Sequence, residues 1–105
     1  MAITVSTLEH SRVPIGVREI LSFTRAVTRT LAGKAAQMPG VDGCVLLSTC
    51  NRTELYVSAQ EWIDPGRLLC AAAEVDYAPF EEAFSTYTGR EAVRHLLEVA
   101  AGLRS

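Results

Sequence analysis

At 105 residues, with 49% hydrophobic and 21% charged content, the chain has the make-up of one soluble domain, 1–105, and too little bias for a disordered or low-complexity class. No apolar run is long enough to cross a bilayer and no basic segment leads into an apolar stretch at the N-terminus, so neither a membrane span nor a secretory signal is expected and the cytoplasm is the default compartment. Three cysteines without regular spacing argue against a disulfide framework, and a net charge of −2 gives no general excess for gripping nucleic acid.

The first expected element is a strand over Ala2 to Leu8, where Ile3, Val5 and Thr7 alternate with smaller or polar residues. The chain leaves it through Glu9 to Val13, and Pro14 opens a short helix through about Leu21, since the donor it lacks has no partner in a first turn. Ser22 is the expected cap of a longer helix with an apolar stripe of Phe23, Ala26, Val27, Thr30, Leu31, Ala35 and Met38. Arg25 and Arg29 fall opposite that stripe, one turn apart, and read as a solvated face. Pro39-Gly40 and Asp42-Gly43 then end the helix.

Two strand-like runs follow, Val45 to Leu47 and Leu55 to Val57, and they read as a hairpin whose turn is Cys50-Asn51-Arg52-Thr53. A period of two puts Cys44, Leu46 and Ser48 on one face and leaves Cys50 where the strand ends. Two readings of that cysteine stand side by side. Arg52, two residues on, carries a fixed positive charge that favours a nucleophilic thiolate and a planar fork that can grip a carboxylate, while Ser48, Thr49 and Asn51 add donors for an oxyanion. In the other reading Cys50 is a small semi-buried residue, Asn51 a turn former and Arg52 a solvated charge.

Asp64-Pro65 reads as the cap and first turn of a helix that buries Leu68, Leu69, Ala72 and Ala73, with Cys70 as a packing residue and Trp62 sealing a core edge before it. Beyond Ala78-Pro79, one helical turn over Phe80 to Ala83 and a short strand over Phe84 to Tyr87 are expected. Thr88 and Glu91 have capping-box spacing for a last helix with a core stripe of Val93, Leu96, Leu97 and Ala100. His95 falls outside that stripe, on the border beside Ala92 and Val99. The order of elements fits an α+β domain of two-layer ferredoxin-like type, an antiparallel sheet with helices packed on it. Cys44, Cys50, Cys70, His10 and His95 include no pair with metal-ligand spacing, and no metal is expected.

The string Leu47 to Tyr56, LSTCNRTELY, resembles the signature of the glutamyl-tRNA reductase family. His10, Pro14, Arg18 and Glu19 also match that family's opening segment, although its threonine is absent here, and Glu91 to Ser105 resembles the segment after the last catalytic strand. By resemblance the fold is the ferredoxin-like one of the family's N-terminal catalytic domain, Cys50 is the nucleophile that attacks the glutamyl-tRNA ester, and the resulting thioester is reduced with NADPH to an aldehyde in tetrapyrrole (porphyrin) synthesis. Thr49, Asn51, Arg52 and Ser105 are then substrate contacts and His95 a positioning or proton-handling group; Arg104 replaces the family's usual acidic residue. No Gly-x-Gly-x-x-Gly turn and no room for a Rossmann unit are present, so the expectation is a chain that carries the thioester-forming half, binds no NADPH itself, meets the acylated end of glutamyl-tRNA, and stays monomeric without the family's dimerisation domain. The alternative from another class is a non-enzymatic ferredoxin-like binding module.

Overall fold

The computed structural model describes residues 2–102, so Arg104 and Ser105 lie outside the described residues. Strand β1, Ala2–Glu9, runs into a 3-10 turn, His10–Arg12, and two short helical pieces, α1 at Ile15–Arg18 and a 3-10 turn at Glu19–Leu21. Helix α2 spans Arg25–Ala36, β2 Val41–Ser48 and β3 Arg52–Ala59; α3 spans Pro65–Ala73, β4 Phe84–Thr88 and α4 Arg90–Ala100. The four strands form one antiparallel sheet in the order β2-β3-β1-β4. Strand-helix-strand-strand-helix-strand with that order is the ferredoxin-like α+β arrangement that the element order predicted.

Alternation decides what each face of the sheet offers, because neighbouring residues of a strand point to opposite sides. Leu8, Leu46, Leu55 and Val57 share the side packed by α2 and α3, where they meet Leu31, Ala35, Leu69 and Ala72 in the main apolar core. Val5, Leu47, Tyr56 and Tyr87 share the other side, and there α4 lies against them through Ala92. The helix after β4 thus covers part of the face that α2 and α3 leave open. Gly66 in α3 is what lets that helix sit close to β4: a Cβ there would meet the Phe84 ring at 3.0 Å.

Several local expectations need correction. The cap of α2 is Thr24 and not Ser22, with Thr24 Oγ1 accepting from Val27 N at 3.3 Å, so Phe23 lies before the helix and packs on the core from the loop. The Thr88–Glu91 capping box does not form. Thr88 stays in β4, paired with Thr4, and Gly89 becomes the helix cap at φ 57°, a left-handed turn for which glycine is suited. That turn sets α4 down on Ala92 and His95, both buried, and leaves Val93, Leu96 and Leu97 exposed, the reverse of the expected stripe. Trp62 is likewise exposed rather than sealing an edge. Among the described residues no helix is long and apolar enough to cross a membrane.

Candidate functional site

The connection between β2 and β3 is tied down by its own backbone and by one histidine. Thr49 N donates to Arg52 O at 2.9 Å, and the Thr49 hydroxyl accepts from Asn51 N and Arg52 N, both at 3.2 Å. His10 reaches the same turn from the end of β1: its backbone N donates to Asn51 O at 2.9 Å, and Nδ1 lies 3.2 Å from the Cys50 carbonyl. On the far side of the ring, Nε2 is 2.9 Å from Thr53 Oγ1, whose own hydrogen goes to Leu21 O at 2.6 Å. Thr53 therefore accepts from Nε2–H, and the other edge of the ring stands against the Cys50 carbonyl. His10 is 4% exposed and acts as a buried clamp on the turn that carries Cys50.

Of the three thiols, Cys50 is the exposed one. Cys44 donates to Ala32 O at 3.3 Å and its pKa is raised by burial, while burial and the nearby Asp64 charge push Cys70 up to about 11. Cys50 lines a cavity of about 510 Å³ with His10, Glu19, Ser22, Thr24 and Thr49. Asn51 is exposed beside it.

Arg52 behaves differently from the solvated turn residue of one sequence reading. It begins β3, is 5% exposed, and its Nη1 donates to Glu54 Oε2 at 3.5 Å. Glu54 is fully buried and gathers two further donors: Tyr56 OH reaches Oε1 at 3.1 Å, and His95 Nε2 pairs with Oε2. Burial pushes the Glu54 carboxyl up, while His95 and the Tyr56 hydroxyl pull it down, and the group ends below its ordinary value. Burial and the Glu54 charge drive the Tyr56 hydroxyl the other way, well above its usual range, so the phenol keeps the proton it donates.

His95 is 3% exposed and stacks on Tyr87 with ring centroids 5.0 Å apart. With Nε2 turned to Glu54, Nδ1 is left without a hydrogen-bond partner among the described residues. His95 and Cys50 line different cavities; the network joins His95 to Arg52, through Glu54, rather than to the thiol. Ser105 lies outside the described residues. Glu54 and Tyr56 are the participants that residue-type reasoning missed, and the signal was present: a period of two places Arg52, Glu54 and Tyr56 on one strand face. Among the described residues no group of three His, Cys, Asp or Glu side chains could hold a metal ion.

The family model for the N-terminal domain of glutamyl-tRNA reductase matches residues 6–105. The chain belongs to that family. It is 36% identical over 107 residues to the glutamyl-tRNA reductase of Alkaliphilus oremlandii, covering 100% of this chain and 32% of the relative. It is 39% identical over 108 residues both to a probable multifunctional siroheme biosynthesis protein of Ruminiclostridium josui and to the glutamyl-tRNA reductase of Rubrobacter xylanophilus, with 21% and 25% of those relatives covered. The chain thus spans about a third or less of the length of these curated relatives. Within the glutamyl-tRNA reductase domain, the string Leu47 to Tyr56 is the end of β2, its turn and the first half of β3, so the exposed thiol and the buried Arg52–Glu54–Tyr56 row come from one contiguous segment.

Proposed function

We propose that this domain performs the acyl-transfer half of a glutamyl-tRNA reductase, in the cytoplasm and in the service of tetrapyrrole synthesis. Cys50 Sγ attacks the carbonyl carbon of the glutamyl ester; a C–S bond forms, the ester C–O bond breaks, and the terminal ribose hydroxyl of the tRNA leaves with the proton that the thiol gave up. No electron changes hands in this step. The observation that carries the reading is the exposed Cys50 on a turn fixed from two sides, by Thr49 and by His10, inside the segment that bears the family signature.

The other assignments follow from the same framework. Arg52 takes the substrate's side-chain carboxylate through donors that Glu54 leaves unused, and Glu54 prevents the guanidinium from rotating away. Thr49 and Asn51 border the thiol, with the Thr49 hydroxyl already spent on the turn, so their share is to hold shape and offer the Asn51 amide. Glu54 orients the His95 ring and leaves Nδ1 as the atom able to handle a proton, the role a carboxylate plays toward a base in many acyl-transfer sites. Ser105 remains a proposed substrate contact by resemblance. NADPH belongs to the reduction that follows; the described strands are all antiparallel and offer no strand–glycine turn–helix cradle for a dinucleotide.

Mass spectrometry of the intact chain after mixing with glutamyl-tRNA tests the reading. One glutamyl adduct is expected on Cys50, labile to hydroxylamine, absent from Cys50→Ser and retained by Cys44→Ser. An adduct on Cys44, or none from a folded chain, would overturn the assignment.

A further inference from the structure

The cavity that holds Cys50 is continuous in its lining with a second one. Phe23, Ser48 and Thr49 border both, and beyond them a space of about 490 Å³ is lined by Arg25, Thr28, Arg29, Arg52 and Glu54. Two exposed arginines one turn apart on α2 therefore stand at the far end of the trench that begins at the thiol.

Four other cations of the chain have carboxylate partners, whereas Arg12 and Arg90 have none among the described residues and line neither cavity. Arg94 pairs with Glu98, Arg67 with Asp64, Lys34 with Glu74 and Arg52 with Glu54. Arg25 and Arg29 have no carboxylate partner among the described residues, and the one acid lining their cavity, Glu54, is already claimed by Arg52, Tyr56 and His95. Two uncompensated cations of a chain of net charge −2 thus line one space, which shares Phe23, Ser48 and Thr49 with the cavity of the exposed cysteine.

We infer that Arg25 and Arg29 form a seat for backbone phosphates of a single-stranded RNA end, holding the nucleotides next to the ester while Cys50 attacks it. This rests on the proposed acyl transfer and adds the part of the substrate that α2 recognises. The chemistry fits: an ester on a terminal ribose has its nearest phosphates within about one nucleotide, so a seat must adjoin the nucleophile, and guanidinium forks match phosphate oxygens in pairs. It also explains how a domain without a basic surface engages RNA, since two phosphate contacts near the reacting end position the ester without gripping the body of the molecule.

Fluorescence anisotropy with a labelled single-stranded RNA ending in CCA, measured across a salt series, reads the seat directly. Arg25→Ala/Arg29→Ala should bind about tenfold more weakly at low salt, and its plot of log K against log salt should be shallower by about 1.4, the share of two phosphates on a single strand. Arg90→Ala/Arg94→Ala, which removes the same charge from α4, should leave both quantities unchanged. An unchanged slope in the α2 variant, an equal loss in the α4 variant, or no salt-dependent binding by the wild type would overturn the inference. Thioester formation by wild type from a phosphate-free glutamyl ethyl ester tests the acyl transfer separately: binding without thioester leaves the seat standing and removes the reaction, whereas thioester without the slope change does the opposite.

Discussion

The two faces of the sheet hold their helices by different means, although they share every strand. Under α2 and α3 the contact is apolar, with Leu8, Leu46, Leu55 and Val57 against Leu31, Ala35, Leu69 and Ala72. Under α4 the apolar part shrinks to Val5, Tyr56 and Ala92, and beside it Glu54 collects Arg52, Tyr56 and His95. Apolar contact accepts substitutes of similar volume, whereas a buried carboxylate is tolerated only while its donors stay in place. The face that is least forgiving is the one whose side chains the proposed chemistry needs held still.

Glu54 and Leu55 are adjacent in β3 and point to opposite faces, so a pair of substitutions separates the two kinds of support. Glu54→Ala strands Arg52 and His95 in the interior and should cost about 3–5 kcal/mol, the usual consequence of breaking a buried ion pair from one side. Leu55→Ala empties apolar volume and should cost about 2–5 kcal/mol. Additivity sharpens the contrast. Adding His95→Ala to Glu54→Ala should cost much less than His95→Ala alone, because the two share one interaction, while Leu55→Ala should add nearly in full to either. Urea unfolding of the singles and doubles measures this, and full additivity of Glu54 with His95 would remove the network from the account.

That difference between faces also governs how much could be read from the sequence. The sheet, its order of elements, the α3 start at Asp64-Pro65 and the hairpin around Cys50 follow from apolar periodicity and turn residues, and they appear as expected except that the turn is Thr49 to Asn51, since Arg52 and Thr53 already belong to β3. On the polar face the same reasoning fails at α4. Val93, Leu96 and Leu97 outweigh Ala92, His95 and Val99 by hydrophobicity, yet the buried line is the weaker one, because His95 is drawn in by Glu54 and Tyr87. Periodicity counts area and cannot see a directional bond. His10 shows the same limit: its place beside Cys50 depends on β1 lying next to β3, which brings Glu9 opposite Arg52, a pairing that no local pattern announces.

Acid should weaken one face before the other. The Glu54 carboxyl lies below its ordinary value near 4.5, so its folded value is the lower one. Its contribution is therefore complete above the unfolded value and lost as pH falls through the folded one. Urea midpoints of wild type and Glu54→Gln, followed downward from about pH 7, should converge as pH falls through the folded value, where the carboxyl takes up its proton and the two side chains become alike. Leu55→Ala should keep a constant offset from wild type over the same range. A Glu54→Gln gap that persists at the acid end would mean that the charge of Glu54 contributes nothing to the fold.

The smallest expected effect concerns the rim, which belongs to neither face. Cys50 is exposed on the turn, and Cys70 is 1% exposed within the apolar core of α3. Replacement of sulfur by oxygen is the same chemical change at both places, but only in the core does it bury a hydroxyl where the thiol sat among Leu68, Leu69 and Ala72. Cys70→Ser should cost about 1–3 kcal/mol, whereas Cys50→Ser should stay within about 0.5 kcal/mol of wild type. Thiol alkylation of the native chain gives the complementary readout: Cys50 should react first, with Cys44 held back by burial and Cys70 by burial together with the Asp64 charge. If Cys50→Ser were to destabilise the chain as much as Cys70→Ser, the turn would be part of the core after all. The loss of thioester in that variant would then no longer count as evidence for a nucleophile, since a loosened turn would produce the same result through misplaced Arg52 and His10.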